Sequence, residues 1–407
     1  MSQDVAASSP LRVAFVSGSL PLGGSTIFVC NLGGELVRRG IPVRVLSLEK
    51  ENPLGSDFQR LNIPVQSLDD RRFIYEDRLA VVLNELGRFK PAVVLATLSA
   101  SSFEVLRYLP AGVFRVGVGQ ADDPDVYEMM RYYAPHMDLL AVVSKTMKAK
   151  AEAMPEFGRV PVHYLPYGVP LPESLDDTGH RKGPLRILYL GRLWQAQKRV
   201  RLLPVIFDRL KSSGIPFHWT VAGEGQEEAF LQQSMKPAPP EQTVSFTGSI
   251  PYRDVPQVLR EHDVFLLTSE FEGLPLSLLE AMGAGLVPVV SDLKSGVSEV
   301  VDITNGILVP VNDVEGYALA VIHLHQHRDE LAAKSAAARA RVKTEFSVAA
   351  MTDRWLSAFP TPPAAPPVWP TRWKISAPLP AKYPLIFLPP LRLIRRFVKK
   401  FSIKATN

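Results

Sequence analysis

The sequence of 407 residues has one cysteine and no long apolar run, and each absence excludes a class of protein. The single cysteine, Cys30, excludes an internal disulfide and fits a reducing compartment. No apolar stretch approaches the ~20 residues that a membrane-spanning helix needs. The first ten residues lack the basic and apolar regions of a secretory signal, so we expect a cytoplasmic protein. The length exceeds that of one usual core, which predicts two domains.

Acidic residues are missing from the last part of the chain. Residues 361–407 hold nine Lys or Arg and no Asp or Glu. The whole chain carries a net charge of +5, so without these nine charges residues 1–360 carry −4. The basic character is therefore local, which indicates a local partner and argues against general nucleic-acid binding.

The same basic tail, 361–407, is also rich in proline. Ten prolines lie in 361–390, which prevents a folded core there. After Pro390 the pattern becomes that of a helix with one apolar face, formed by Leu391, Ile394, Val398 and Phe401. The basic side is formed by Arg392, Arg395, Arg396, Lys399 and Lys400. Such a helix predicts that 385–404 binds an anionic membrane surface, while a solvated tail or a helix docked on another chain stays open.

Predicted strands alternate with predicted helices in the first part of the chain. The strands are Leu11–Ser17, Val43–Leu48, Ala92–Ala96, Val113–Val118 and Leu139–Val143. The helices are Ser25–Arg39 and Leu79–Phe89. This alternation indicates a parallel sheet covered on both faces, in a first domain of residues 1–170. Pro161–Pro172 holds four prolines and is predicted to be the interdomain linker.

The pattern then repeats in residues 171–345, the second predicted domain. Its strands are Leu185–Leu190, Phe217–Ala222, Val244–Phe246, Val264–Leu267, Val287–Val290 and Ile307–Val309. In a doubly wound domain, ligands bind at the point where the strand order reverses. Two successive domains of this kind leave a cleft between them, with these two points facing each other.

The most informative stretch, Ser269–Met282, places the carboxylates of Glu272 and Glu280 with seven residues between them. Glu272 follows a predicted buried strand and precedes a helix that Pro275 can begin. A helix N-terminus after a strand suits an anionic ligand. Glu280 lies within that helix among apolar neighbours, and a buried carboxylate can accept hydrogen bonds from both hydroxyls of a cis-diol. Phosphate and diol together predict a nucleotide, or a sugar carrying one.

This stretch, continued to Ser291, closely resembles the signature of the retaining nucleotide-sugar glycosyltransferases of the GT-B fold, the group 1 glycosyl transferases. Gly191–Arg199 resembles the family's phosphate-binding Arg and Lys segment, and Pro21–Ser25 resembles its N-terminal glycine loop. The resemblance implies the α/β class, with two Rossmann-like, doubly wound parallel-sheet domains facing across a cleft. It also implies a last helix that crosses back to the first domain, for which 346–360 is the candidate.

The resemblance also assigns roles to residues. It implies that Arg192 and Lys198 bind the donor diphosphate and that Glu272 lies near the donor sugar, as the three catalytic residues. It implies that Glu280 accepts from the ribose hydroxyls. The other implied donor-binding residues are Gly23, Gly24, Gly223, Glu224, Gly225, Gly273, Leu274, Pro275 and Leu276.

The residues by themselves explain why such roles are reasonable, and also allow ordinary alternatives. A guanidinium can hold two phosphate oxygens and an ammonium adds a point charge, so cations aimed at a leaving diphosphate lower the barrier. Without the resemblance, the same residues could be solvated surface cations, an exposed helix acid and a turn acid. The glycine spacing of dinucleotide-binding proteins is absent, which argues against a redox enzyme.

Many family members carry a histidine near positions 120–124, where this chain has none. Asp122 and Asp123 are therefore acceptor-side candidates only, and Asp123 before Pro124 would also make a good helix N-cap. Three histidines lie close together in the sequence, at His323, His325 and His327. No cluster of acids or cysteines accompanies them, so we expect no metal site. We expect no cofactor, because the two cations take the role of a metal.

The expected function is hexosyl transfer from a nucleoside-diphosphate sugar to an acceptor hydroxyl, with retention by family resemblance. The family's breadth suggests cell-surface glycan, lipopolysaccharide or exopolysaccharide synthesis. A tail against the inner face of the membrane would suit a lipid-linked acceptor. Three alternatives stay open: a sugar-nucleotide epimerase on the same fold, a phosphorylase, and a non-catalytic sugar-nucleotide-binding scaffold. The sequence does not identify the base, the sugar or the linkage.

Overall fold

A computed structural model describes residues 11–48, 52–67, 75–97, 99–172, 183–236, 240–361 and 367–375. These residues form two α/β domains, each built around one parallel sheet. Within these ranges, no helix has the length and apolar character needed to cross a bilayer. The predicted membrane-binding segment 385–404 lies outside the described residues.

The first sheet has seven parallel strands in the order β3-β2-β1-β4-β5-β6-β7. The strands are β1 (Val13–Ser17), β2 (Val43–Ser47), β3 (Val65–Ser67), β4 (Val93–Thr97), β5 (Phe114–Gly119), β6 (Leu139–Val142) and β7 (Val162–Tyr164). The central strands β1 and β4 are buried along their whole length, because helices cover both faces of the sheet. The five predicted strands are confirmed, with ends shifted by up to two residues.

Two edge strands, β3 and β7, were not predicted. Strand β7 lies within the proline-rich stretch 161–172 and pairs with β6, with Leu140 opposite Val162. The prediction that this whole stretch is linker is therefore wrong at its start. Pro161 precedes the strand, where its missing N–H removes no hydrogen bond of the ladder.

Six helices accompany the first sheet in the part of the chain that the structure describes. They are α1 (Gly24–Arg38), α2 (Gly55–Arg60), α3 (Tyr75–Phe89), α4 (Ala100–Leu106), α5 (Pro124–Tyr133) and α6 (Lys145–Glu152). Short 3₁₀ turns follow at Ala134–His136 and Pro155–Phe157. Helix α1 begins directly after the glycine loop, so its N-terminus lies at the carboxyl end of β1.

The second sheet has six parallel strands in the order β10-β9-β8-β11-β12-β13. They are β8 (Leu185–Leu190), β9 (Phe217–Ala222), β10 (Gln242–Gly248), β11 (Val264–Leu267), β12 (Val287–Ser291) and β13 (Ile307–Val309). All six predicted strands are confirmed, and β10 is longer at both ends than predicted.

The helices around the second sheet number eight among the described residues. They are α7 (Gln195–Lys198), α8 (Leu202–Ser212), α9 (Glu228–Ser234), α10 (Val255–Arg260), α11 (Leu276–Gly283), α12 (Gly296–Val300), α13 (Val314–Gln326) and α14 (Arg328–Glu345). A 3₁₀ turn at Tyr252–Asp254 precedes α10. Pro275 is the N-cap of α11, one position earlier than predicted.

The chain crosses between the domains twice, and the two crossings lie side by side. The N–H of Val169 donates to the carbonyl of Phe346 at 2.9 Å, and the N–H of Val348 donates to the carbonyl of Val169 at 3.1 Å. Where the sequence predicted a crossover helix, α15 (Val348–Ala358) packs against α1 of the first domain. The rings of Phe28 and Trp355 meet there, with centroids 5.7 Å apart.

Part of the proline-rich tail has a defined place. Trp373 donates its indole N–H to Asn84 on α3 at 3.0 Å, and the Trp369 ring lies beside Gly87 on the same helix. The sequence predicts that the prolines in 361–390 prevent a core of their own. Residues 367–375 instead use the surface of the first domain, which the sequence pattern did not show.

Candidate active site

A cavity of about 490 Å³ lies between the two domains at the carboxyl ends of their strands. Helix α1 and the glycine loop line it on one side, and the loops after β8, β9 and β11 line it on the other. These positions flank the strands where each sheet reverses its order, β1 beside β4 and β8 beside β11. The cavity therefore lies where the two doubly wound domains were predicted to face each other.

Most of the predicted site residues line this one cavity. They are Gly23, Gly24, Arg192, Lys198, Gly223, Glu224, Glu272, Gly273, Leu274, Pro275, Leu276 and Glu280. Gly225 is not among the lining residues and packs against the carbonyl of Leu193. Gly223 has φ +139°, and a Cβ there would come within 1.9 Å of the Gly191 carbonyl, so two loops of the cavity wall approach too closely for any side chain.

Lys198 and Glu272 form a buried ion pair in the cavity wall. The Lys198 Nζ lies 2.5 Å from the Glu272 Oε1, and Ser269 Oγ donates to the same oxygen at 2.6 Å. Lys198 ends the one-turn helix α7, and Glu272 follows β11, so the pair joins two strand ends. An ammonium has three donors, and the carboxylate fixes its position while leaving donors for an anion.

Arg192 is held next to this pair by a residue that the sequence reading missed. Its Nη2 donates to Gln197 Oε1 at 2.9 Å. The Gln197 amide in turn donates to the carbonyl of Phe271 at 3.3 Å. Gln197 lies inside the Arg and Lys segment, but its polarity alone gave no reason to select it over its neighbours.

The N-terminus of α11 adds a third positive element to the cavity. No side chain caps this helix, and its first turn holds no acidic residue. Leu276 and Ser277 of that turn line the cavity. The unsatisfied N–H groups of a helix start favour negative charge, so a phosphate can lie against this turn.

Glu280 offers an oxygen that has no partner. Its Oε1 is buried and makes no hydrogen bond within the described part of the chain. Burial raises the pKa of Glu280 from 4.5 to about 8, and a hydrogen bond with Tyr252 acts in the opposite direction. Such an oxygen is ready to accept from a ligand hydroxyl. Tyr252 was also missed by the sequence reading, because it lies in a short turn with no pattern.

Asp122 and Asp123, the acceptor-side candidates, both have partners within the first domain, and their acceptor-side role stays a prediction. Asp122 accepts from the Tyr127 hydroxyl at 2.9 Å and from the Lys150 ammonium at 2.7 Å. Asp123 is the N-cap of α5 and accepts from the backbone N–H of Asp125 at 2.8 Å. Neither is among the residues lining the cavity. Both carboxylates are held by contacts inside the first domain, which explains their polarity without an acceptor.

Glu270 and the group of three histidines lie outside the cavity. Glu270 pairs with Arg199 at 2.6 Å and does not line the cavity. The rings of His323 and His327 stack with centroids 4.2 Å apart, and His323 contacts Glu330 at 2.7 Å. Over the described ranges, no group of three His, Cys, Asp or Glu side chains has the geometry to hold a metal.

Residues 184–327 match the family described as Glycosyl transferases group 1. The amylovoran biosynthesis glycosyltransferase AmsK of Erwinia amylovora is 35% identical over 43% of this chain and 44% of its own length. The putative colanic acid biosynthesis glycosyltransferase WcaL of Escherichia coli K12 is 30% identical over 66% of this chain and 64% of its own. The chain thus covers less than two thirds of the length of these relatives.

Solved glycosyltransferase structures resemble nearly the whole described chain. A complex of the TarM G117R mutant of S. aureus with UDP and sugars has a TM-score of 0.70 at 12% identity, covering 85% of this chain and 99% of that one. Anabaena Alr3699/HepE in complex with UDP has a TM-score of 0.67 at 16% identity, with coverages of 85% and 99%. The chain therefore has the GT-B fold, and its segment 184–327 is similar to the group 1 glycosyl transferases.

Proposed function

We propose that the chain transfers a hexosyl group from a nucleoside-diphosphate sugar to an acceptor hydroxyl, with retention at the anomeric carbon. The observation that carries the proposal is the convergence of Lys198, Arg192, the start of α11 and the vacant Glu280 oxygen in one interdomain cavity. The first three favour a diphosphate, and the last favours a ribose. The similarity to named glycosyltransferases over 184–327 supports the same reading.

In the proposed reaction, the bond between the anomeric carbon and the diphosphate oxygen breaks and its electron pair stays on the phosphate. The acceptor hydroxyl attacks the same face of the sugar, and its proton passes to the departing phosphate oxygen. Lys198 and Arg192 stabilise the charge that develops there, and one such donor typically contributes ~10²–10³-fold in rate. We expect no metal cofactor, because these two cations and the α11 N-terminus face the diphosphate.

Glu272 is best assigned to positioning Lys198. Its Oε1 already accepts from Lys198 and from Ser269. A carboxylate bound in this way is a poor nucleophile, which fits a displacement without a covalent glycosyl-enzyme intermediate. The protein then contributes orientation, exclusion of water and charge stabilisation.

We further propose an acceptor in cell-surface glycan, lipopolysaccharide or exopolysaccharide synthesis. The relatives named for amylovoran and colanic acid biosynthesis support this class, as does a lipopolysaccharide 1,6-galactosyltransferase of Salmonella typhimurium that is 32% identical over 42% of this chain. The basic amphipathic segment 385–404 would hold the enzyme on the inner face of the membrane, beside a glycan or lipid-linked acceptor.

A screen of nucleotide sugars by thermal shift, followed by transfer assays with the best donor, tests this function. Bound donor should raise the melting temperature, since a ligand of the native state stabilises by RT ln(1 + [L]/Kd). K198A and E280A should each lose most transfer activity while keeping the fold, and K211A, which changes a half-buried lysine on α8 that pairs with Asp208 away from the cavity, should not. Wild-type transfer rates in both cavity variants would contradict the proposal.

The alternatives give different products in the same assay. An epimerase would convert the donor sugar with no acceptor present. A non-catalytic scaffold would bind the donor without transfer or hydrolysis, and a phosphorylase would require inorganic phosphate.

A further inference from the structure

A line of hydrogen-bonding groups leads from the cavity to the place where the chain crosses between domains. Tyr252, in the second domain, lies beside Glu280 and donates its hydroxyl to Asn31 Oδ1 at 3.3 Å. Asn31 is on α1 in the first domain, and its Nδ2 donates to the carbonyl of Gly168 at 3.0 Å. Four residues distant in sequence therefore connect the cavity to the first interdomain crossing.

Tyr252 is the member of this line that has two competing acceptors. A phenol has one proton, so it can donate to Glu280 or to Asn31 but not to both at once. Burial and the nearby Glu280 raise the pKa of Tyr252 well above its ordinary value, so the hydroxyl stays protonated and remains a donor. A change in the hydrogen bonding of Glu280 therefore alters the hydrogen bond from Tyr252 to Asn31.

The far end of the line lies where the two crossings touch. A Cβ on Gly168 would come within 2.6 Å of the carbonyl of Ser347, so the outgoing and returning segments are in direct contact. Val169 extends this contact by its two backbone hydrogen bonds with the returning segment. The carbonyl that accepts from Asn31 therefore belongs to the segment through which the chain passes from the first domain to the second.

We infer that Tyr252 is a positioning residue that couples occupancy of the Glu280 site by a nucleoside to the closure of the two domains, through Asn31. The inference rests on the proposed function in one respect, that Glu280 accepts from ribose hydroxyls. Tyr252 already donates to Asn31 in the unliganded chain. When ribose hydroxyls donate to Glu280, that carboxyl competes less for the Tyr252 donor, and the hydrogen bond from Tyr252 to Asn31 between the domains becomes stronger. Coupling of this kind is reciprocal, so a closed domain arrangement also favours nucleotide binding.

Asn31 gives the sharpest test, because it is buried and is not among the residues lining the cavity. Calorimetry with UDP, and with GDP as a second probe, would compare the wild-type chain with N31A, Y252F and the double variant. We expect each single change to weaken binding by about 5-fold or more, the lower range of measured couplings. The double variant should be no weaker than the weaker single variant, since both changes break one connection.

Y317F is the matched control. Tyr317 is buried in the second domain, where its hydroxyl is hydrogen-bonded with Ser291 and donates to the carbonyl of Leu267, away from the cavity. It should bind the nucleotide as the wild type does. Small-angle scattering adds a measurement that a purely structural role of Tyr252 would not change. Nucleotide should reduce the radius of gyration of the wild-type chain, and should reduce that of Y252F less.

The possible results separate the two claims. Wild-type affinity in both N31A and Y252F, or penalties that add fully in the double variant, would overturn the coupling and leave the proposed function intact. No binding of either nucleotide by the wild-type chain would contradict the proposed function itself, and the coupling with it. Y252F keeps the ring and leaves the Asn31–Gly168 hydrogen bond in place, so its melting temperature shows whether the fold is preserved.

Discussion

Lys198 and Glu280 illustrate two ways in which a buried ionisable group can be used. Lys198 is paired with Glu272, and the pair satisfies the charges that burial would otherwise make costly. Glu280 is left with a vacant oxygen, and the cost appears as a raised pKa. A buried oxygen without a hydrogen-bond partner in the unliganded protein can accept a hydrogen bond from a ligand, and groups with perturbed pKa values often lie at functional sites.

The raised pKa of Glu280 predicts how stability depends on pH. An acid whose pKa rises from 4.5 in the unfolded chain to about 8 in the folded one binds its proton more tightly when folded. Its contribution to stability is therefore complete below about pH 4.5 and is lost as pH rises towards 8. The groups around it are the Tyr252 hydroxyl and, lining the same cavity, Arg192, Lys198, Glu224 and Glu272.

Urea unfolding of the unliganded protein between pH 5 and about 8.5 would measure this effect. We expect the difference in unfolding free energy between wild type and E280Q to shift in favour of E280Q as pH rises. A difference that does not change with pH would contradict the assignment of the raised pKa to this carboxyl.

At the scale of elements, the short helix α12 joins the cavity wall to the first domain. The N–H of Gly296, at its start, donates to the carbonyl of Gly273 at 2.8 Å. Glu299, near its end, accepts from the N–H groups of Lys145 and Thr146 at 2.7 Å each. Glu299 thus caps α6 of the other domain, where an anion is favoured by the helix dipole.

We predict that E299A lowers both stability and transfer activity. The lost cap should lower the free energy of unfolding by about 1–2 kcal/mol. Helix α12 would then no longer be held to the first domain by Glu299, and the cavity loop at Gly273, which is bonded to α12, would be less well positioned. D313A is the matched control, since Asp313 caps α13 within the second domain and its loss should cost about 1 kcal/mol without affecting transfer. Chemical unfolding and a donor-saturated rate measure the two effects, and equal rates in both variants would contradict the role given to α12.

Element prediction succeeded where burial leaves a strong pattern. Strand β11 is a continuous apolar run, and in β8 only Arg186 interrupts one, because helices cover both faces of the sheet. Strand β3 has the sequence Val65-Gln66-Ser67 at a sheet edge, where partial exposure removes the apolar signal. Strand β7 was hidden by neighbouring prolines, which usually mark loops.

The site residues that could be predicted are those recognisable from short stretches of sequence, and those that depend on contacts between distant residues could not be predicted. The Arg and Lys segment and the two carboxylates are recognisable by type and spacing, and the fold brings them to one cavity. Tyr252 and Asn31 are separated by 221 residues and meet only when the domains face each other. Asp122 and Asp123 show the opposite case, where polar residues after a strand serve a cap and an ion pair.

At the scale of the whole molecule, residues 367–375 of the tail lie against the first domain. Trp373 and Trp369 hold 367–375 on α3, and the amphipathic segment 385–404 follows in sequence. We predict that a chain ending at Ile375, which keeps both tryptophans, loses binding to anionic liposomes and keeps transfer to a soluble acceptor. Flotation assays would measure the binding, with neutral liposomes as the control. Undiminished binding by the shortened chain would show that the tail is not the membrane contact.

The central claim concerns the cavity between the domains, and a crystal structure with the best nucleotide from the donor screen tests it most directly. The account predicts diphosphate oxygens within hydrogen-bond distance of Lys198, Arg192 and the first turn of α11, with ribose hydroxyls on Glu280. A nucleotide bound outside this cavity, or one whose ribose points away from Glu280, would contradict it.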